Sequence, residues 1–363
     1  MGNPTYYCRN CGFKEELGKH YYWKCPKCGA PLDLIYDIEW RPKGRGILRY
    51  RSMLPVQNIK YLGEGETPLI KRSIKGKSFL FKLEYLNPGG SFKDRGASLT
   101  LSYASSLGYS KVVEDTSGNT GIATALYSRI NNMQAAIVMP QYAPEGKKNL
   151  IRLLGGKIIE APTRPDAAKK VLELIDETTC YVAHTWNPLF YHANKTIAYE
   201  AYEEGFKHGT VVVPIGSGSL LLGIYKGFKD LVDLGLIGTM PRIIGIQGVS
   251  SAPIYELIYG KQCRGDSSIA DGIMVRDPPR KHEIAEIIKK YGDIVVVDND
   301  EIISSLKDLI RMGFIIEPTS AASLAGILKY IEDKGDVEEP ILLPLTGSGL
   351  KMIDYLYSLL KKQ

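Results

Sequence analysis

Long apolar stretches are missing from this chain. Of its 363 residues, 44% are hydrophobic and 24% charged. That is the balance of a globular protein, and no run reaches the roughly 18 apolar residues of a membrane-spanning helix. The amino terminus, Met-Gly-Asn-Pro, opens no apolar core of the kind an export signal uses. Tyr6 stands where a myristoylation signal would place Ser or Thr. A cytoplasmic chain is therefore the expectation. Internal repeats and low-complexity tracts are also lacking, which excludes a solenoid. The length suits two domains plus an appendage.

A charge excess is lacking over most of the chain as well. The formal net charge is +6, but residues 1–60 hold eleven Lys/Arg against five Asp/Glu, and the remainder balances at 35 of each. The basic surplus thus belongs to an amino-terminal appendage. Four metal-bound thiolates there would cancel much of it, which leaves little basis for nucleic-acid binding.

Cysteine is scarce but patterned. Four of the six residues form two pairs, Cys8-x-x-Cys11 and Cys25-x-x-Cys28, while Cys180 and Cys263 stand alone. Reduced CxxC knuckles in a cytosolic chain read as a metal site. Residues 1–40 cannot bury a core of their own, so a tetrahedral zinc would supply the folding energy. A zinc ribbon is expected, with short strands among its aromatic residues; a redox dithiol or an iron site is the alternative.

Residues 41–65 are irregular and basic and read as a surface linker. Thereafter strands and helices alternate. Strands are expected at 78–83, 111–114, 134–139, 157–160, 210–215, 242–246, 294–297 and 341–345. Helices are expected at 98–107, 120–131, 144–154, 166–177, 220–234, 280–290, 300–312 and 320–331. Such alternation predicts an α/β fold with parallel sheets covered on both faces, and ligands in such folds sit at the carboxyl ends of strands.

The loops rich in Gly, Ser, Thr and Asn fall there. Thr116-Ser117-Gly118-Asn119-Thr120-Gly121 opens a helix, whose free N–H groups favour a carboxylate; Ser117 or Asn119 could equally cap that helix. Asn119 can hold a phenolic oxygen. Gly216-Ser217-Gly218-Ser219, before Leu220, lets backbone approach a phosphate closely, without being a Walker loop. Thr346-Gly347-Ser348-Gly349 offers a hydroxyl to a neutral pyridine nitrogen. Lys93, after a Gly-Gly-Ser turn, carries an amine able to form a Schiff base with pyridoxal phosphate. Taken alone it reads equally as a structural lysine or an anion contact. Freed by a substrate amine, and with its pKa lowered by burial, it would serve as general base at the alpha carbon.

With these motifs in place, the chain resembles the fold-type II pyridoxal phosphate enzymes of the tryptophan-synthase-beta superfamily, and most closely the threonine synthases. Gly65-Glu66-Thr67-Pro68-Leu69 resembles GxTPL. Asn87-Pro88-Gly89-Gly90-Ser91-Phe92-Lys93-Asp94-Arg95-Gly96 resembles NPTGSFKDRG, which carries the cofactor lysine. Ser117-Gly118-Asn119-Thr120 resembles the loop holding the ring oxygen and the substrate carboxylate. Glu317-Pro318-Thr319-Ser320-Ala321-Ala322 resembles EPASAA, and Thr346-Gly347-Ser348-Gly349-Leu350-Lys351 resembles TGxGLK.

The resemblance implies two three-layer αβα domains plus the ribbon: residues 1–40 as ribbon, 41–97 with 190–363 as the large cofactor-binding domain, and 98–189 as the small domain. It implies a homodimer acting on a small amino acid, O-phospho-L-homoserine, to give L-threonine and phosphate. Lys93 would be the catalytic residue. Asn119, Gly216, Ser217, Gly218, Ser219, Leu220 and Thr346 would hold the cofactor. Ser91, Thr116, Ser117, Gly118, Thr120, Thr185 and Asn187 would meet substrate, and Cys8, Cys11, Cys25 and Cys28 zinc. Lys82, Arg95 and Lys195 are further candidates for a phosphate or the cofactor.

Some positions depart from the threonine-synthase pattern. Phe190, in Asn187-Pro188-Leu189-Phe190, replaces an arginine that contacts the substrate phosphate, and a ring cannot bind phosphate as a guanidinium does. Ser268-Ile269-Ala270-Asp271-Gly272-Ile273 resembles the threonine-dehydratase branch, and the TSGNTG loop the cysteine synthases. Beta-replacement or elimination on serine derivatives, or threonine/serine dehydration, is therefore the alternative activity. A non-catalytic sensor with a partner-binding ribbon is the remote one.

Overall fold

The computed structural model describes residues 3–335 and 337–361. Met1 and Gly2, at the start of the segment read for an export signal, lie outside that range. No helix among the described residues is long and apolar enough to cross a membrane.

In chain order, a ribbon of three short strands comes first: β1 (Thr5–Tyr7), β2 (Lys14–Glu16) and β3 (Asp33–Ile35). A hairpin follows, β4 (Leu69–Ile74) and β5 (Lys77–Lys82). Then come α1 (Lys93–Ser106), β6 (Lys111–Asp115), α2 (Asn119–Ile130), β7 (Gln134–Pro140), α3 (Glu145–Leu153), β8 (Lys157–Ala161), α4 (Arg164–Lys170), β9 (Thr179–Tyr181) and α5 (Pro188–Ala193). The carboxyl half holds α6 (Lys195–Glu203), β10 (Thr210–Pro214), α7 (Ser219–Asp233), β11 (Arg242–Gly248), α8 (Pro253–Tyr259), α9 (Lys281–Tyr291), β12 (Gly292–Val297), α10 (Asn299–Arg311), α11 (Pro318–Lys334), β13 (Ile341–Pro344) and α12 (Ile353–Lys361).

The chain separates into two units, residues 1–65 with 87–194, and 66–86 with 195–363. The boundaries expected at 97/98 and 189/190 fall inside α1 and α5, which are continuous helices. In the first unit a parallel sheet runs β8-β7-β6-β9, beside the antiparallel ribbon sheet β2-β1-β3. The ribbon is not a free-standing module. Tyr6, Tyr21, Leu32 and Leu34 belong to the same apolar cluster as Leu99, Ile122 and Ile137.

In the second unit one sheet runs β12-β11-β10-β13-β5-β4. It is parallel except for β4, an antiparallel edge strand. Val211-Val212-Val213 of β10 is buried along its whole length, as expected of a strand with neighbours on both sides and covered faces.

Local chemistry explains several boundaries. Asp298 and Glu301 close a capping box on α10, with bonds of 3.0 and 2.9 Å. Helix α4 starts earlier and stops sooner than periodicity predicts. Thr163 caps its start, and the Asp176 carboxylate accepts from the N–H and hydroxyl of Thr178, turning the chain before β9. Helices α5 and α6 escaped the sequence reading because α5 is buried on all sides, and α6 nearly so. Neither shows a polar stripe to mark the helical period.

Candidate active site

In the first unit, the chemistry converges at the carboxyl ends of β6 and β9. Lys93 is the first residue of α1, and the turn before it is built by its own neighbours. Gly90, at φ 76°, donates to the Asn87 carbonyl at 2.7 Å. The Asp94 carboxylate reaches back to the Gly89 N–H. A Cβ on Gly89 would stand 2.6 Å from that carboxylate. Asn87 in turn accepts from the Gly65 N–H at 2.9 Å. The NPGGSFKDRG run is thus a helix start locked by an acid inside the motif.

The Lys93 Nζ lies 4.7 Å from the ring centre of Phe92 and 5.6 Å from that of Phe190. Burial against these rings lowers its pKa to about 8, helped by the Arg164 charge and opposed by Glu114. Phe190 is wholly buried and lies tight against α1: a Cβ on Gly96 would sit 2.4 Å from it.

Sequence reasoning missed the acid and imidazole beside this lysine. Glu114 is fully buried, one oxygen 2.5 Å from His184 Nδ1 and the other without a hydrogen-bond partner. Burial pushes the Glu114 carboxyl well above its usual range. Burial, then the charges of Lys93 and Arg164, push His184 well below its own. The two share one hydrogen bond, and burial opposes charge on both. Ala183, at φ 52°, makes the left-handed turn that swings His184 back onto Glu114. The TSGNTG resemblance could have drawn attention to Glu114, two residues upstream; nothing local marks His184.

The loop from Thr116 to Thr120 opens α2, with Asn119 its first residue. Thr116 Oγ1 accepts from the Gly118 N–H at 3.1 Å. Lys147, a second missed residue, is buried and crosses Gly118 so closely that a Cβ there would be 2.3 Å from its Cδ. Any side chain at this position would displace the Lys147 stem. Ser117 and Thr120 are buried beside it. Ser91 is fully buried with an unpartnered hydroxyl, an atom suited to an incoming polar ligand. Thr185 is half-buried on the loop after His184.

Other expected contacts are occupied. Asn187 caps α5 by accepting from the Leu189 N–H at 3.0 Å, and donates to Tyr21 Oη and the Val182 carbonyl. Its amide has no donor left for a substrate. Lys82 is fully buried between Glu200 and Glu204 at 3.0 and 2.5 Å, and Lys195 is paired with Asp230 at 2.5 Å. Both ammonium groups are thus paired with carboxylates. Arg95 is buried within α1.

In the second unit, motifs far apart in sequence meet at the carboxyl end of β10 and beyond β13. Gly216 to Gly218 lead into α7, whose first residues are Ser219 and Leu220. Gly218 is left-handed at φ 89°, and a Cβ on it would strike Ile284 at 2.1 Å; one on Gly216 would lie 2.5 Å from the Gly272 carbonyl. Gly272 donates its N–H to Thr319 Oγ1 at 3.1 Å. Next to Thr319, Ser320 Oγ is 3.0 Å from Thr346 Oγ1. The glycine loop, the ADGI segment, the EPTSAA segment and the TGSG loop therefore form one cluster. The start of α7 and the buried Thr346 hydroxyl suit a phosphate and a ring nitrogen.

The four knuckle cysteines also come together. All their sulfurs lie within 4.8 Å of one another, with Cys8–Cys28 at 3.5 Å and Cys11–Cys25 at 3.6 Å. Zinc–sulfur bonds of about 2.3 Å at tetrahedral angles put sulfurs about 3.8 Å apart, so the cluster is compatible with zinc. A separate cavity of about 420 Å³, lined by Lys111, Gln134, Lys157 and Thr179, opens at the amino ends of the first unit's strands. That is the wrong edge for the chemistry of an α/β sheet.

Comparison with known proteins follows the same lines. The profile described as "Pyridoxal-phosphate dependent enzyme" matches residues 60–347. A threonine synthase of Methanocaldococcus jannaschii is 31% identical, over 95% of this chain and 92% of that protein. One of Methanosarcina acetivorans is 30% identical, over 95% and 91%. Among solved structures, an O-acetylserine dependent cystathionine beta-synthase from Helicobacter pylori superposes with a TM-score of 0.68 at 27% identity, covering 80% of this chain and 95% of that one.

Proposed function

This chain belongs to the family of pyridoxal-phosphate dependent enzymes, and on that premise we propose that it is a threonine synthase. The reaction is the conversion of O-phospho-L-homoserine and water to L-threonine and phosphate. The observation that carries the reading is identity of 30–31% with archaeal threonine synthases along 95% of the chain. The desolvated amine of Lys93 is the group such chemistry needs.

When bound, the cofactor supplies the electron sink that makes the substrate's alpha proton acidic. Lys93 is its attachment point. Once released by the substrate amine, Lys93 takes the alpha proton at Nζ, because an amine with a pKa of about 8 is neutral often enough to act as a base near neutral pH. The same nitrogen would next take a proton from the beta carbon as phosphate leaves the gamma carbon, and deliver one to the gamma carbon. It would return one to the alpha carbon after water has added its hydroxyl at the beta carbon and its remaining proton has balanced the one the phosphate takes.

Asn119 would hold the ring oxygen, and Gly216, Ser217, Gly218, Ser219 and Leu220 the cofactor phosphate. Thr346, braced by Ser320, would face the ring nitrogen. Ser91, Thr116, Ser117, Gly118, Thr120 and Thr185 are left for the substrate. Cys8, Cys11, Cys25 and Cys28 would bind a structural zinc in residues 1–40. We place the enzyme in the cytoplasm, where thiols stay reduced, as a homodimer.

Supplying cofactor-loaded protein with O-phospho-L-homoserine tests the reading: phosphate and L-threonine should appear in equal amounts. A loaded protein that makes neither, yet turns over O-acetyl-L-serine or L-serine, belongs to the beta-replacement and elimination branch. Phe190 in place of an arginine is the observation that keeps this second reading in view.

A further inference from the structure

We propose that the amino-terminal ribbon is a positioning element of the reaction site: through Tyr21, Asp33 and Tyr36 it fixes α5, and with it the Phe190 ring beside Lys93. The inference rests on the assignment of Lys93 as the reacting lysine.

Helix α5 is six residues long and has two differently engaged sides. Phe190 faces Lys93 and Gly96. The next two residues face the ribbon. The Tyr191 hydroxyl donates to the Asp33 carboxylate at 2.9 Å, and His192 Nε2 is 3.1 Å from the same oxygen. A carboxylate accepts only, so Nε2 carries the proton. His192 Nδ1 is hydrogen-bonded to the Tyr36 hydroxyl at 2.8 Å, and that hydroxyl also reaches the Met53 carbonyl at 3.3 Å. Both ring nitrogens of His192 are thereby held by residues of the amino-terminal segment. The helix start is held too. Asn187, its cap, donates to Tyr21 Oη at 2.7 Å, and that hydroxyl donates onward to the Tyr181 carbonyl at 2.9 Å. Trp23 packs edge-on against Tyr181 and Trp186, at 5.1 and 5.7 Å between ring centres.

These bonds concentrate on residues 181–192, the stretch that carries His184 and Phe190. A six-residue helix cannot hold its own position. What fixes its angle is the buried polar network behind it, and networks of this kind specify one geometry because each unmet partner is costly. A displacement of about 1 Å beside a reacting group can cost about 100-fold in rate. Tyr21, Asp33 and Tyr36 therefore act on the reaction through α5 and its Phe190.

The test uses full-length, cofactor-loaded protein and hydroxyl-only changes that keep ring packing: Tyr21→Phe and Tyr191→Phe. Tyr103→Phe is the control. The Tyr103 hydroxyl donates to the His20 carbonyl and accepts from the Gly18 N–H, at 2.9 Å each, so it anchors the ribbon to α1 without involving α5. Readouts are metal content, Tm, the visible circular dichroism of the bound cofactor, and kcat and KM with O-phospho-L-homoserine. Tyr21→Phe and Tyr191→Phe are expected to keep one metal per chain, to alter the visible dichroism, and to lower kcat/KM by about 10- to 100-fold. Tyr103→Phe is expected to lower Tm alone. If all three lower Tm and leave dichroism and kinetics as in the parent, the ribbon only stabilises and the proposal falls. If the parent protein does not turn over O-phospho-L-homoserine, the activity assignment fails. The dichroism comparison still decides the positioning proposal, because it needs only bound cofactor.

Discussion

At the scale of single residues, the site is set by what surrounds one amine. Lys93 owes its lowered pKa first to burial against Phe92 and Phe190. Removal of the alpha proton requires the neutral amine, so kcat should rise with pH and level off above about 8. A pH profile of kcat checks this. Lys93→Ala should abolish the visible absorbance of the bound cofactor and lower turnover by at least about 10³-fold. The fit of Phe190 makes a second prediction. Gly96→Ala brings a methyl to within 2.4 Å of that ring. It should cost about 1–3 kcal/mol by urea denaturation, and Phe190→Leu in the same chain should recover part of the loss. Lys93 and Gly96 were legible in the sequence because a motif carries them. The approach of Phe190 to both was not, since 94 and more positions separate the partners.

At the scale of elements, strand and helix alternation placed most of the sheet correctly, and short buried helices defeated it. Helix α5 begins on an asparagine that does two tasks, capping through Oδ1 and bonding Tyr21 through Nδ2. Asn187→Ala should lose both, at a cost of about 2 kcal/mol. Asn187→Asp keeps the cap acceptor and loses only the donor, so it should fall between parent and alanine variant in denaturant titrations. The resemblance to the threonine synthases assigned Asn187 to the substrate. The structure spends the amide on backbone and tyrosine instead. Lys82 and Lys195 followed the same course, each being matched to a buried or half-buried carboxylate.

At the scale of the whole molecule, the two units each collect motifs scattered along the chain. The first draws residues 1–65 to 87–194, and the second draws the hairpin β4–β5 to the carboxyl half. The ribbon shares the apolar core of the first unit, so stripping the proposed zinc from the four cysteines should be felt there. Chelation is expected to lower Tm and to speed amide exchange in β1–β3, β9 and α5, with the second unit's β10, β11 and β13 left protected. Exchange measured by mass spectrometry, with and without chelator, checks this. Equal loss of protection in both units would argue against a ribbon coupled to the first unit alone.

By itself the sequence determined the cofactor chemistry, the α/β class and the paired cysteine knuckles. Each of these is written in short runs whose spacing is local: Ser-Phe-Lys-Asp-Arg-Gly, Thr-Gly-Ser-Gly, Cys-x-x-Cys, and strands that alternate with helices. Only the tertiary structure decided that Glu114 and His184 pair beside Lys93, that Lys147 crosses Gly118, and that the ribbon grips α5. Tyr21 meets Asn187 across 166 positions and Asp33 meets His192 across 159. Contacts of that range are selected by burial and by the need to satisfy every buried donor and acceptor, a condition on the folded whole that no local pattern records.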